Sequence, residues 1–356
     1  MSVISTVDAR ALFTKKLIEV YKERVAPTSF LRSFFVNKES NTKELSIEVQ
    51  RGTEKIAVDV ERGTEGNRNS FSRSSEKIFV PPYYREYFDM TDLAFYELLF
   101  TMNGTVDAMT FSDWLTDVVE KLAMLQDKIE RSYELQCAQV LETGVVTLVN
   151  GTNIDFKRKA GSLVANAAGN TWATGTIDPF ATLQAGCEFL RTKGKMAGGV
   201  VNAIMGTTAL SNFLNNDIVK ARADIRNITL DSIRQPQANS LGGVLHGEVT
   251  AGSWIVRIWT YPEYYDNASA DNNSYINPKK VILIPDAPKF VLGFAGVPQL
   301  MGAKVNVGAG LSGQRGAYLV GEYLDERAKA HIVEIASAGV AIPVAVDQIY
   351  TVQPVA

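Results

Sequence analysis

Two histidines, His246 and His331, and two cysteines, Cys137 and Cys187, are the whole stock of imidazole and thiol in this 356-residue chain. A histidine-based triad or a two-histidine metal site has little material to work with. The cysteines are too few for a disulfide framework and do not form a metal-binding pair by spacing. His331 alternates with Val333 and Ile335 in a strand-like run, so the lone histidines are read as structural. No GxxxxGK[ST] phosphate loop occurs. Gly308, Gly310, Gly313 and Gly316 lie in GAGLSGQRG, which lacks the strand, helix and downstream acid that make a dinucleotide fingerprint meaningful; it reads as a loop. Asp266, Asn267, Asp271, Asn272 and Asn273 offer oxygen ligands, but not at the spacing of a calcium loop with its terminal glutamate, so YYDNASADNNSY reads as a solvated loop. No catalytic, cofactor or metal residue is assigned, and the chain is not expected to be an enzyme.

Composition fits a soluble globular chain of one or two domains. With 46% hydrophobic and 21% charged residues it can build a sizeable core, and disorder of the whole chain is excluded. A net charge of −3 gives no basic footprint for sequence-specific nucleic-acid binding, although a face that merely encloses DNA could be neutral or acidic. The start, MSVISTVDARALFTKKLIEVY, is interrupted by Asp8, Arg10, Lys15 and Lys16, unlike a signal peptide. No run approaches the roughly 20 apolar residues of a membrane span. A reducing cytoplasm is the expected setting.

With so little chemistry in the side chains, the informative elements are those that reach outward. The stretch Glu61 to Lys77, ERGTEGNRNSFSRSSEK, has almost no apolar residue to bury, yet it is flanked by the strand-like runs Lys55 to Val60 and Ile78 to Val80. Such a polar tongue must project from its own domain, and its size suggests that it lies on a neighbour. Its mixed charges, Arg62, Glu65, Arg68, Arg73 and Glu76, are the candidate subunit-interface residues. Pro81 and Pro82 then remove ladder donors and predict an edge or hinge. Residues 1 to 40 read as a locally basic arm: a short amphipathic helix through Leu12, Leu17 and Tyr21, then a segment anchored by Phe30, Phe34 and Phe35.

Apolar residues at helical spacing from Phe111 through Trp114, Leu115, Val118, Val119, Leu122, Leu125 and Ile129 to Val140 and Leu141 predict one long helix over Thr110 to Thr143. Asp178 and Pro179 supply an N-cap and first-turn proline for a second helix through Phe180, Leu183, Cys187 and Leu190. Val145 to Val149 and Ile154 to Lys157 flank the turn signal Asn150-Gly151. Val200 to Met205 reads as a buried strand, short helices follow over Thr208 to Leu214 and Asp217 to Ile228, and the last 110 residues are mostly β. The fold class is α+β.

The order of these parts resembles the major capsid proteins of tailed bacteriophages, of the Hong Kong ninety-seven type, and more narrowly the lambda-like capsid protein E family. The residues that carry the resemblance are LSIEVQRG and VERGTEG, FVPPYYREYFDMTDL on the return, TIDPFATLQAG at the second helix, and HIVEIASAGVAIPVAVDQIYTVQPVA at the end. The resemblance implies an N-arm over 1–40, an extended loop over 41–90, a peripheral domain with a spine helix over 91–195 and 316–356, and an axial domain over 196–315. It implies a virion subunit that self-assembles in the host cytoplasm as hexamers and pentamers into an icosahedral shell, which encloses double-stranded DNA and contacts it without sequence preference. Expected partners are a scaffolding protein encoded separately, a portal and a decoration protein. Cofactors and membranes have no part in it. Lysine-to-asparagine welding, for which Lys55 and Lys77 lie near the tongue, is not expected. An encapsulin-type compartment shell would share the fold, and an enzyme with a β-rich domain is the remaining alternative.

Overall fold

The computed structural model describes residues 27–40, 42–49, 75–91, 108–148, 153–166, 171–174, 177–223, 232–267, 271–297, 318–325 and 330–355. The run Lys55 to Val60, most of the tongue, the Asn150-Gly151 turn and GAGLSGQRG lie outside them.

The N-terminal segment is held by rings. Phe30 and Leu31 are buried, and the Phe30 ring lies 5.3 Å from Trp259 and 5.6 Å from Tyr261. A single 3-10 turn, Arg32–Phe34, leads into β1, Phe35–Glu39. β2 (Leu45–Val49) and β3 (Ser75–Phe79) pair antiparallel from Leu45 with Phe79 to Val49 with Ser75, which is the base of the expected hairpin. Pro81 and Pro82 interrupt the chain before β4, Tyr83–Thr91.

Helix α1, Ala108–Glu142, has 35 residues and is about 52 Å long at 1.5 Å per residue. From Leu122 onward its buried side chains are Ile129, Tyr133, Cys137, Val140 and Leu141, one face at 3.6-residue spacing. It ends because Gly144 adopts φ +77°, its amide donating to the carbonyls of Val140 at 3.0 Å and Gln139 at 3.2 Å. A left-handed residue at this position favours glycine. β5 (Val145–Thr147) and β6 (Asn153–Asp155) form a hairpin, and β7 is Leu163–Ala165. The cap of α2, Pro179–Thr192, is as expected: the Asp178 carboxylate accepts from the Phe180 amide at 2.9 Å. There follow β8 (Val200–Met205), α3 (Thr207–Asn215), α4 (Asp217–Ala223), β9 (Ser232–Ala238), β10 (Val244–Ala251) and β11 (Trp254–Thr260). β12 (Tyr264–Tyr265) and β13 (Asn273–Ser274) make a small hairpin. The chain closes with β14 (Val281–Pro285), β15 (Phe290–Phe294), β16 (Leu319–Asp325), β17 (Ala330–Pro343) and β18 (Tyr350–Gln353).

Two mixed sheets organise the body. One has seven strands in the order β7-β18-β14-β8-β11-β10-β9. Its central strands are buried on both faces, which is why VVNAIM and VILIP read as unbroken apolar runs. Val201, Ala203, Met205, Val281 and Leu283 share a core with the α2 and α3 side chains. Their alternates Ile204, Ile282 and Ile284 belong to the core that includes the C-terminal half of α1. The other sheet runs β1-β15-β17-β16, and β4 also pairs with β17. The 14-residue β17 takes β4 and β16 along its first half and β15 along its second. β1 lies parallel to β15 at an edge, so the N-terminal segment completes a sheet assembled from the far end of the chain.

The sequence reading lacked β9 and β10, and it took 83–91 for an edge or hinge where there is a nine-residue edge strand. β9 contains Pro236 and exposed polar residues, tolerable at an edge but without an apolar period. In β10 a register shift between Leu245 and Gly247 breaks the alternation.

Candidate functional site

The features that reach outward start from one region of the body. At the hairpin base, Leu45 is buried over Gly293, where an added Cβ would stand only 2.7 Å from its side chain. A glycine in β15 is what lets the hairpin approach so closely. Phe79 stacks against Phe156 with ring centroids 5.3 Å apart. Beside this base, a cavity of about 520 Å³ is lined by residues that include Lys38, Glu44, Leu45, Val291 and Ile342.

The return strand β4 is riveted to α1 on one side and to β17 on the other. Tyr84 meets the Tyr133 ring edge-on at 5.5 Å, and its hydroxyl accepts from Gln136 Nε2 at 2.7 Å. Lys128 pairs with Glu86 at 2.7 Å, and Arg85 with Glu334 at 2.5 Å. Ile78, Val80, Tyr83 and Tyr87 are nevertheless 60, 53, 46 and 59% exposed, four large apolar side chains within ten residues of chain.

The N-terminal segment is fixed by a buried carboxylate. Leu31 and Arg32 donate their backbone N–H groups to Glu134 Oε1 and Oε2 at 2.7 and 3.0 Å. Burial pushes the Glu134 carboxyl up to about 7, although the two amides, Tyr261 and Arg32 pull it down. Sequence reasoning missed Glu134. The available signal was its place four and seven residues before the buried Ala138 and Leu141 on one helical face. Arg158 is a second charge deep in the fold, its pKa lowered to about 10 by burial. It caps the end of α1 by donating to the carbonyls of Leu141 and Glu142 at 3.1 and 3.2 Å and ties that end to Thr351 at 3.1 Å.

Of the interface residues proposed from sequence, Arg62, Glu65, Arg68 and Arg73 lie outside the described residues; Glu76 is in β3, register partner of Glu48. His246 Nε2 lies 2.9 Å from Thr260 Oγ1, and burial lowers its pKa. Burial raises the Cys187 thiol to about 12 and Cys137 well above its ordinary value, which keeps both as thiols rather than nucleophilic thiolates. The Asp266 carboxylate accepts from the Asn272 amide at 2.7 Å inside the β12–β13 hairpin. Among the described residues no group of three or more His, Cys, Asp or Glu side chains comes together as a metal site, and no helix is long and apolar enough to cross a membrane.

No curated protein matches the sequence significantly. Among solved structures, one described as a prophage capsid protein from E. coli CFT073 superposes with a TM-score of 0.61 at 12% identity, over 98% of this chain and 99% of that one. The capsid of a native GTA particle gives 0.52 at 12% identity, over 95 and 94%. The SrpI encapsulin of Synechococcus elongatus PCC 7942 aligns over 99 and 96% at 10% identity, but its TM-score of 0.47 carries no weight. At such identities the structures speak for the fold alone, which is the mixed α+β fold of phage capsid proteins of the Hong Kong ninety-seven type. The sequence profile of the phage major capsid protein E matches residues 13–350, and over that span, nearly the whole length, the chain belongs to the phage major capsid protein E family.

Proposed function

We propose that this chain is the repeating subunit of a closed icosahedral shell, assembled as hexamers and pentamers in the host cytoplasm around double-stranded phage DNA. The observation that carries this reading is the hairpin. Its base is seated by Leu45 and Phe79, while Ile78, Val80, Tyr83 and Tyr87 on the return are left largely in water. An apolar strip of this kind on an edge strand is a surface that a neighbouring copy covers. In this reading 1–40 is the N-arm, 41–90 the extended loop, 91–195 with 316–356 the peripheral domain with α1 as its spine, and 196–315 the axial domain. Arg62, Glu65, Arg68, Arg73 and Glu76 meet the adjacent subunit. A separate scaffolding protein directs curvature, a portal replaces one pentamer, and a decoration protein binds the outside.

Deletion of residues 63–75 with direct joining of the flanking strands tests the reading. The variant is expected to yield folded subunit, by circular dichroism, without closed shells, by electron microscopy. Normal closed shells from that variant would remove the tongue as the interlocking element. Extraction of the native shells' contents discriminates a genome container, with DNA inside, from a compartment loaded with cargo protein.

A further inference from the structure

Glu134 has no hydrogen-bonding role within its own helix. It is 1% exposed in the second half of α1, and its two oxygens are occupied by the Leu31 and Arg32 amides that open the 3-10 turn of the N-terminal segment. The Tyr261 hydroxyl bonds to the same carboxyl and also to Thr28 Oγ1. One carboxyl group therefore joins α1, the entering segment and the chain just after β11. The charged and titratable groups around it come from each of these elements. Arg32 of the segment stands within 3.9 Å of Glu130, one turn back on α1. Cys137 lies on α1 itself; Tyr261 and Tyr275 approach from the far side, and Arg131 and Glu263 stand near Tyr275. Tyr318 donates to Glu130 at 3.4 Å. The thiol and the phenols are all raised by burial and stay neutral, and the neighbouring cation Arg32 is shared with Glu130. The carboxylate is hydrogen-bonded well and charge-compensated poorly, which is the arrangement in which desolvation prevails.

We infer that Glu134 is a proton-sensitive latch for the N-terminal segment, closed when its carboxyl is protonated and loosened when it ionises. Lifting the segment admits water to Glu134 and returns its proton affinity toward that of an ordinary carboxyl. The docked state thus binds the proton more tightly than the open state. Protonation stabilises docking fully below the ordinary carboxylate range, and this contribution is lost as pH rises through about 7. The latch deepens the assembly reading, since it sets how firmly each subunit holds the segment proposed as its arm, but it is a property of the single chain and is tested there.

The experiment is hydrogen exchange of the Leu31 and Arg32 amides in the full-length unassembled subunit between about pH 5 and pH 8, corrected for intrinsic exchange. Their protection is expected to fall at least about tenfold across that range, the change carried by one unit of pKa difference. Amides of α1 and β17 should hold theirs. In Glu134→Gln, neutral at every pH, protection of the two amides should be independent of pH. Protection that is flat or rises with pH in the wild type overturns the latch, and this arm decides the matter even where the variant fails to fold. So does a wild-type slope retained in Glu134→Gln, or an equal fall throughout α1 and β17, which would be global unfolding. Shell formation does not enter the measurement, so its failure would bear on the assembly reading alone.

Discussion

Ile129 and Leu122 stand seven residues apart on α1, and from the helical stripe alone both belong to its buried face. Ile129 is 1% exposed in the core shared with β15 and β17, whereas Leu122 is only half-buried. Ile129→Ala should therefore cost about 2 to 5 kcal/mol, and Leu122→Ala no more than about 1 to 2. Chemical denaturation of the soluble subunit measures both; equal costs would mean that Leu122 is covered as fully as Ile129. The same helix shows what a stripe of apolar letters conceals. Glu134 and Gln136 are buried beside Tyr133 and Cys137, Gln136 accepting from the Ala341 amide at 3.2 Å and donating to Tyr84. Polarity in the sequence argued for solvent at these positions, and partners more than a hundred residues away in the chain overruled it.

At the scale of elements, the hairpin and the body differ in how they are held. β2 and β3 pair only with each other among the described residues, and Leu45 and Phe79 are their apolar anchors. A two-stranded ladder on so small a seat opens more readily than the sheets behind it. Phe79→Ala should accelerate amide exchange in β2 and β3 while β15 and β17 keep their protection. A matching loss of protection in β15 and β17 would show that the hairpin is part of the body's cooperative unit. The long helix, the Asp178 cap and the buried runs at 200–205 and 281–285 were legible because each is specified within a few turns or residues of its own sequence. The edge strands were not, because β1, β4 and β9 owe their strand conformation to partners elsewhere in the chain.

At the scale of the whole molecule, a small term repeated at every subunit contact becomes large. Exposed ion pairs contribute about 0 to 1 kcal/mol each, so a shell can depend on tongue charges that would not matter in a monomer. Arg62→Glu combined with Arg68→Glu should lower the yield of closed shells. Added salt should weaken assembly of the native protein more than that of the double variant, because screening removes an attraction only where one exists. Equal salt sensitivity would leave backbone and apolar contacts at the hairpin base as the adhesive. By itself the sequence determined the α+β class, the long helix, the projecting hairpin and the scarcity of catalytic side chains, since all of these follow from local periodicity, turn chemistry and residue counts. Only the tertiary structure decided that β1 completes a sheet whose other strands lie some 250 residues on, that β4 runs along β17, and that a helix glutamate holds the entering chain. Strand partners and buried hydrogen bonds are fixed by which surfaces exclude water together, and no local stretch of sequence contains both members of such a pair.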